Sequence, residues 1–122
     1  MSKDGEGVRA RREAVVRRHM EAENVHDFET VMGTFAHPRY EIIATGQIHD
    51  GDAAVRQYFK DTRAAFPDQR NELIAPLGGL AATGKSFRVR MTALFLFEDA
   101  GDRIVCERVY FDSASLLRQL TA

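Results

Sequence analysis

The residue best suited to chemistry is Glu107, a carboxylate on an otherwise apolar strand face. Val105, Val109 and Phe111 share its side of a strand predicted over Asp102–Phe111, because alternate residues of a strand point the same way. Burial in such a wall raises the pKa of a carboxyl group toward neutrality, where it can act as general acid or base. The alternative is that Glu107 points outward or pairs structurally with an arginine, since unpaired buried carboxylates are rare. We predict Glu107 as a catalytic residue.

A second catalytic candidate is His19, on the inward stripe of a helix predicted over Val8–Asn24. The same stripe carries Glu23. From this position His19 could face Glu107 across a pocket, and a histidine–glutamate pair can exchange protons near neutral pH. The alternative is a histidine that only packs in the core.

The residues predicted to contact a ligand are apolar or carry a hydroxyl group: Met20, Tyr40, Tyr58, Phe59, Met91 and Val109. Tyr40 and Tyr58 could donate hydrogen bonds to a developing oxyanion. They could also be core tyrosines whose hydroxyls reach the surface.

Sequence motifs for metals and nucleotide cofactors are absent. No two histidines stand four residues apart or in another metal-ligand pattern, so no metal site is predicted. Neither a glycine-rich dinucleotide fingerprint nor a phosphate-binding loop occurs, and we therefore predict no cofactor.

Composition predicts one domain over residues 8–122, after a disordered lead-in at 1–7. Seventeen basic residues balance 18 acidic ones, which gives no reason to expect nucleic acid or an acidic membrane as partner. The single cysteine, Cys106, excludes an internal disulfide and favours a reducing compartment. Neither a signal peptide nor an apolar run of roughly 20 residues is present. The predicted location is the cytoplasm.

The two strands that carry the candidate pocket wall form a predicted hairpin. Apolar residues alternate along Phe87–Phe97, and Glu98–Asp102 has the composition of a turn. Symmetric closure predicts three cross-strand pairs on the apolar face: Phe95 with Val105, Ala93 with Glu107, and Met91 with Val109. On the opposite face it sets Arg88 against Asp112 and Arg90 against Tyr110. A register slipped by two residues is the alternative.

The remaining elements follow from periodicity and from capping and turn residues. Further helices are predicted over Phe28–Ala36 with Asp27 as N-cap, over Asp52–Ala65, and over Ala114–Leu120 with Asp112 or Ser113 as N-cap. Further strands are predicted over Tyr40–Ala44, Gln47–His49 and Gln69–Ala75, with a glycine-rich turn over Pro76–Gly84. Helices first and a mostly antiparallel sheet later make the fold α+β.

This order, together with HPRYEIIATGQIHDG, AAFPDQRNELI, TGKSFRVRMTALFLF and IVCERVYFDSASLLRQL, resembles the SnoaL-like branch of the nuclear transport factor 2-like superfamily. The resemblance implies a curved antiparallel sheet wrapped by N-terminal helices into a cone that opens on an apolar pocket. It also implies homodimers through the outer sheet face. Its members include polyketide cyclases, epoxide hydrolases, ketosteroid isomerases and non-catalytic binders.

From this resemblance we predict a protein that binds a small hydrophobic molecule. It would be a cofactor-free cyclase, isomerase or hydrolase using acid/base chemistry, with two alternatives. One is a non-catalytic carrier or sensor, and the other is an assembly module acting through its sheet face. The acid/base aspartate of the polyketide cyclases corresponds to Val109 and their pocket histidine to Ala93, so the cyclase mechanism does not transfer.

The resemblance also predicts that one strand is missing, because relatives have a further strand where Ala75 and Pro76 adjoin here. The strand Gln69–Ala75 would then either pair directly with Phe87–Phe97 or remain a bare edge.

Overall fold

Four helices and six strands follow one another in the residues that the computed structural model describes, 3–67, 69–72, 79–82 and 87–121. The helices are α1 (Lys3–Asn24), α2 (Phe28–Gly33), α3 (Asp52–Ala65) and α4 (Ser113–Thr121). The strands are β1 (Arg39–Ile42), β2 (Gln47–Asp50), β3 (Arg70–Glu72), β4 (Gly79–Ala82), β5 (Phe87–Phe97) and β6 (Ile104–Phe111).

The strands form a single sheet in the order β2-β1-β6-β5-β4-β3. Neighbouring strands are antiparallel except for β1 and β6, which run parallel with Tyr40 beside Glu107. This pair brings the chain's first strand against its last, and it places two candidate site residues side by side. The predicted α+β fold is confirmed.

One alternative predicted from a missing strand, the direct pairing of Gln69–Ala75 with Phe87–Phe97, is wrong. Gly79–Ala82, within the segment predicted as a glycine-rich turn, is β4, and it pairs antiparallel with both β3 and β5. Strand β3 therefore pairs with β4 instead of β5, and it ends the described sheet. Glycine and alanine have low strand propensity, so this strand depends on its two neighbours rather than on local preference. The junction of Ala75 with Pro76 lies outside the described residues.

The register predicted for the hairpin is wrong by two residues. Phe95 lies opposite Glu107, Ala93 opposite Val109, and Met91 opposite Phe111. On the other face Thr92, not Arg90, pairs with Tyr110. The connection is longer than the predicted turn, since β6 begins at Ile104, and the register shifts between Leu96 and Phe97. Such an irregularity adds a residue to one strand only, which alternation in the sequence does not reveal.

The hairpin connection is held by the first helix. Arg12 of α1 donates hydrogen bonds to the carbonyl oxygens of Gly101 and Glu98, at 2.7 and 3.2 Å. Helix α1 starts at Lys3 rather than Val8, so residues 3–7 of the predicted disordered lead-in are helical. The bounds of α3 agree with the prediction, whereas α2 ends at Gly33 instead of Ala36.

Two predicted helix caps are present. Asp27 accepts a hydrogen bond from the backbone N–H of Thr30 at 3.2 Å, and Asp112 accepts from Ala114 and Ser115 at 3.0 and 3.2 Å. The core lies between the helices and the inner sheet face, around Val31, Phe35, Val55, Phe59 and Ile104. None of the described helices combines the length and apolar character needed to cross a membrane.

Candidate active site

A cavity of about 200 Å³ lies between the inner face of the sheet and helices α3 and α4. Most of the exposed lining is apolar, and its charged residues are Glu23, Arg63 and Glu107. The lining residues are Glu23, Tyr40, Ile42, Thr45, Gln47, Tyr58, Thr62, Arg63, Phe66, Gln69, Met91, Glu107, Val109, Phe111 and Leu116. Two walls come from strands β5 and β6, and α4 contributes Leu116.

Most of the residues proposed from sequence lie at this cavity. Glu107, Tyr40, Tyr58, Met91 and Val109 line it. Their functional roles stay predictions, but the fold brings these five side chains together.

Three of the proposed residues do not line the cavity. Met20 and Phe59 are buried elsewhere, and His19 lies fully buried behind Glu107. Adjacent helix positions point about 100° apart, so Tyr58 faces the cavity while Phe59 stacks on Phe28 with ring centroids 4.5 Å apart.

His19 is held in one orientation by its Nδ1 atom, 2.9 Å from Thr34 Oγ1. The hydroxyl of Thr34 donates its own hydrogen to the carbonyl oxygen of Val31 at 2.6 Å. Thr34 Oγ1 therefore accepts from His19, which makes Nδ1 a donor. The other ring nitrogen, Nε2, is directed toward the cavity side.

Three oxygen atoms surround Nε2 of His19. They are Oε2 of Glu23 at 2.6 Å, Oε1 of Glu107 at 2.9 Å and the hydroxyl oxygen of Tyr40 at 3.0 Å. Burial alone would lower the pKa of His19, but the negative charges of Glu23 and Glu107 outweigh it and raise this pKa to about 10. His19 is therefore an imidazolium ion at neutral pH.

Glu23 is the central carboxylate of the cluster, and the sequence reasoning did not select it. Tyr40 donates a hydrogen bond to its Oε2 at 3.2 Å, and Arg63 Nη2 donates to its Oε1 at 3.3 Å. Burial alone would raise the pKa of Glu23, but the charge of His19 outweighs it and lowers this pKa. Glu23 is thus firmly ionised.

The sequence analysis did not select Glu23 or Arg63, but the helical spacing of both residues indicates that they face inward. Glu23 stands four residues after His19 on the inward stripe of α1, and Arg63 stands four residues after Phe59 on the inward face of α3. Four residues make about one helical turn, so each follows a recognised inward residue on the same face.

Glu107, the residue predicted from sequence to act as acid or base, lines the cavity. Its side chain is only 2% exposed, and its Oε1, although close to His19 Nε2, receives no well-aligned hydrogen bond from the described residues. Burial raises the pKa of Glu107, Glu23 adds to this effect, and His19 opposes it. A buried carboxyl group with a raised pKa is suited to act as a general acid or base.

His19, Glu23 and Glu107 are also the one group of possible metal ligands identified among the described residues, with one ligand atom from each within 4.8 Å of the others. The sequence pattern missed this grouping because Glu107 comes from β6 and the other two from α1. Nε2 of His19 lies 2.6 and 2.9 Å from the carboxylate oxygens of Glu23 and Glu107. Ligand atoms that bind one ion with bonds of about 2.0–2.2 Å lie farther than this from one another. In the observed arrangement the charged ring of His19 forms ion pairs with both carboxyl groups.

Comparison with solved structures identifies the fold. A ketosteroid isomerase-like protein of Catenulispora acidiphila, solved with trimethylamine, aligns with a TM-score of 0.76 at 18% identity, over 88% of this chain and 92% of its own. A protein of Shewanella putrefaciens, provisionally named as a SnoaL-like polyketide cyclase, aligns with a TM-score of 0.76 at 10% identity, over 90% and 85%. An NTF2-like protein of unknown function from Burkholderia pseudomallei aligns with a TM-score of 0.74 at 23% identity, over 92% and 98%.

The chain therefore has the cone-shaped α+β fold of SnoaL-like and ketosteroid isomerase-like proteins, and the resemblance predicted from sequence is confirmed at the level of fold. No family model and no curated protein matches the sequence. Because one fold of this kind carries many activities, function must be argued from the site.

Proposed function

We propose that the protein binds a small, largely apolar molecule in its cavity and moves a proton to or from it through Glu107. The observation that supports this proposal is a buried carboxyl group on the wall of a mostly apolar cavity, ion-paired with His19 at 2.9 Å and with its pKa raised by burial. Ionisable groups with perturbed pKa values occur preferentially at functional sites, where burial and neighbouring charges adjust the pKa to the reaction.

The size of the cavity limits the ligand. An apolar cavity of about 150 Å³ binds benzene, so a cavity of about 200 Å³ accepts a molecule of one or two rings. Cyclisation, isomerisation and hydrolysis, the reactions expected from the resemblance, each include a proton transfer that one carboxyl group can perform.

Each member of the cluster has its own part in this proposal. Glu107 contacts the ligand and carries the proton. His19 is a positioning residue, since it is fully buried and reaches the ligand only through Glu107. Glu23 keeps His19 charged, and the positive charge of His19 keeps the pKa of Glu107 from rising further.

The test compares the wild-type protein with Glu107→Gln on a panel of one- and two-ring ketones. Thermal shift selects the compounds that bind, and NMR in D₂O then measures how fast their acidic C–H hydrogens exchange. We expect the wild type to accelerate exchange for at least one ketone, and Glu107→Gln to bind it but lose about 100-fold or more of the acceleration. The matched control is Glu41→Gln, on the opposite face of the same sheet, which should exchange like the wild type.

A carrier or sensor is the second candidate function. It is favoured because Glu23 is held by His19, Tyr40 and Arg63. The described lining therefore offers no second carboxyl group beside Glu107 for acid/base chemistry. A carrier predicts that panel compounds stabilise both the wild type and Glu107→Gln while neither accelerates exchange. Panel compounds that stabilise neither protein would contradict both functions.

A further inference from the structure

A second polar group on the cavity wall, Arg63, has a hydrogen-bond donor that is not used within the described residues. Its side chain is 8% exposed. Nη2 lies 3.3 Å from Glu23 Oε1 and Nη1 lies 3.0 Å from Thr62 Oγ1, but the buried Nε–H has no acceptor there. Leaving such a donor unsatisfied costs about 1–3 kcal/mol, so an acceptor supplied by a ligand would be favoured.

When Glu107 is protonated, the cluster beside the cavity carries more positive than negative charge. His19 and Arg63 are then two buried cations, and Glu23 is the one carboxylate that contacts both. The contact between Arg63 and Glu23 is long for a charge-assisted hydrogen bond. The guanidinium therefore keeps the capacity to bind a second anionic oxygen.

The buried Nε–H of Arg63 and the carboxyl group of Glu107 belong to neighbouring parts of one cluster. Glu23 connects them, since one of its oxygens meets Arg63 and the other meets the His19 nitrogen that contacts Glu107. Both Arg63 and Glu107 line the same small cavity. A ligand of one ring can therefore present a single polar head group to both of them.

We propose that the ligand of this cavity is a small carboxylic acid, bound as its anion between the Nε–H of Arg63 and the carboxyl group of Glu107. One carboxylate oxygen of the ligand accepts from Arg63, and the other accepts the proton of Glu107. The apolar body packs against Met91, Val109 and Phe111. This inference rests on the proposed function of the cavity, and it adds the chemical class of the ligand and a binding role for Arg63.

The proposal makes ligand binding take up a proton. Two carboxylates in contact repel each other, so an anionic ligand holds Glu107 in its protonated form. The proton comes from solvent, and no bond of the ligand is broken. Arg63, His19 and Glu23 keep their charges, because each retains its contacts within the cluster.

The test uses benzoate and benzamide, which have nearly the same shape but differ in charge. Isothermal titration at pH 7 measures the affinity of the wild type, Arg63→Lys and Arg56→Lys for both compounds. Lysine keeps the charge beside Glu23 but lacks the Nε–H donor. The matched control, Arg56, is exposed on the same helix and pairs with Glu29 and Asp52.

We expect the wild type and Arg56→Lys to bind benzoate at least tenfold more tightly than benzamide, and Arg63→Lys to prefer it by less than threefold. Comparing the affinities for benzoate and benzamide within each protein removes any effect of a substitution that weakens the binding of both compounds equally. Titrations in buffers of different ionisation enthalpy should show proton uptake with benzoate in the wild type and none in Glu107→Gln.

Three results would overturn the inference. Equal affinity of the wild type for benzoate and benzamide would exclude an acidic ligand while leaving the cavity a binding site for other molecules. A benzoate preference that survives in Arg63→Lys would remove the role of Arg63. Proton uptake that persists in Glu107→Gln would show that a group other than Glu107 takes up the proton. Failure of the proposed function is a separate result, because it is measured on the ketone panel as the absence of binding or of accelerated exchange in the wild type.

Discussion

At the scale of single residues, the buried polar cluster works as one unit. His19 contacts both Glu23 and Glu107, and Glu23 in turn accepts hydrogen bonds from Tyr40 and Arg63. Charges removed from water at this depth are tolerated because each has an opposite charge or a hydrogen-bond donor beside it. Loss of the central cation would therefore affect the whole cluster and not one contact.

We expect His19→Gln to lower the free energy of unfolding by about 3–5 kcal/mol at pH 7, because it leaves the buried Glu107 without a cation and Glu23 with Arg63 alone. The raised pKa of His19 gives the pH dependence. Its contribution to stability is complete below pH 6.5 and is lost as the pH rises through about 10. The difference between wild type and variant, measured by urea unfolding from pH 6 to pH 10, should thus become smaller.

The control for this experiment is His37→Gln. His37 is an exposed histidine paired with Asp50 at the surface, and exposed pairs contribute about 0–1 kcal/mol. A difference between wild type and His19→Gln that stays constant, or grows toward pH 10, would show that His19 is not charged in the folded protein.

At the scale of elements, the joint between β2 and α3 positions the cavity wall. Gly51 follows β2 and is the N-cap of α3, the helix that carries Tyr58 and Arg63. Its N–H donates to the carbonyl oxygen of Pro38 at 2.9 Å, and its own carbonyl accepts from Val55 at 3.0 Å. The backbone angles of Gly51, φ 91° and ψ 167°, lie in a region open almost only to glycine.

We predict that Gly51→Ala destabilises the protein by about 1–3 kcal/mol. The reason is backbone strain alone, since a Cβ atom at this position would meet nothing within 4 Å. Gly33→Ala is the matched control, because Gly33 also has open space but lies at the helical end of α2. This control should be neutral or stabilised by up to about 1 kcal/mol. Equal stabilities of the two variants by thermal unfolding would contradict the strain.

At the scale of the whole molecule, the outer face of the sheet is a candidate contact surface. The strand registers place four residues in one row across it, Ile48, Glu41, Arg108 and Leu94. Ile48 and Leu94 are 58% and 46% exposed, and Arg108 pairs with Glu41 between them at 2.8 Å. Apolar side chains around a neutralised ion pair are typical of surfaces that bind another protein.

We propose that the protein forms a homodimer through this outer face, as the resemblance led us to expect. Leu94→Lys would place like charges opposite each other across a two-fold interface, and we expect it to convert the dimer into a monomer in sedimentation experiments. The control is Val25→Lys, at an exposed position beyond the end of α1. A wild-type monomer, or a dimer unchanged by Leu94→Lys, would contradict this interface.

Local signals in the sequence determined a large part of the fold. The bounds of α3, the aspartate caps of α2 and α4, and the presence of strands β5 and β6 each follow from residues a few positions apart. These signals are readable because helix and strand periodicities and caps act over one or two turns of chain. They also placed Glu107 on an apolar strand face and His19 on an inward helix face.

The tertiary structure alone decided how those parts meet. Only long-range pairing makes a strand of Gly79–Ala82, sets Phe95 opposite Glu107, and brings Arg63 from α3 to Glu23 on α1. Likewise, packing turns Tyr58 toward the cavity and Phe59 away from it. The physical reason is that a contact between distant segments depends on the whole arrangement of the chain, and no short stretch of sequence carries that information.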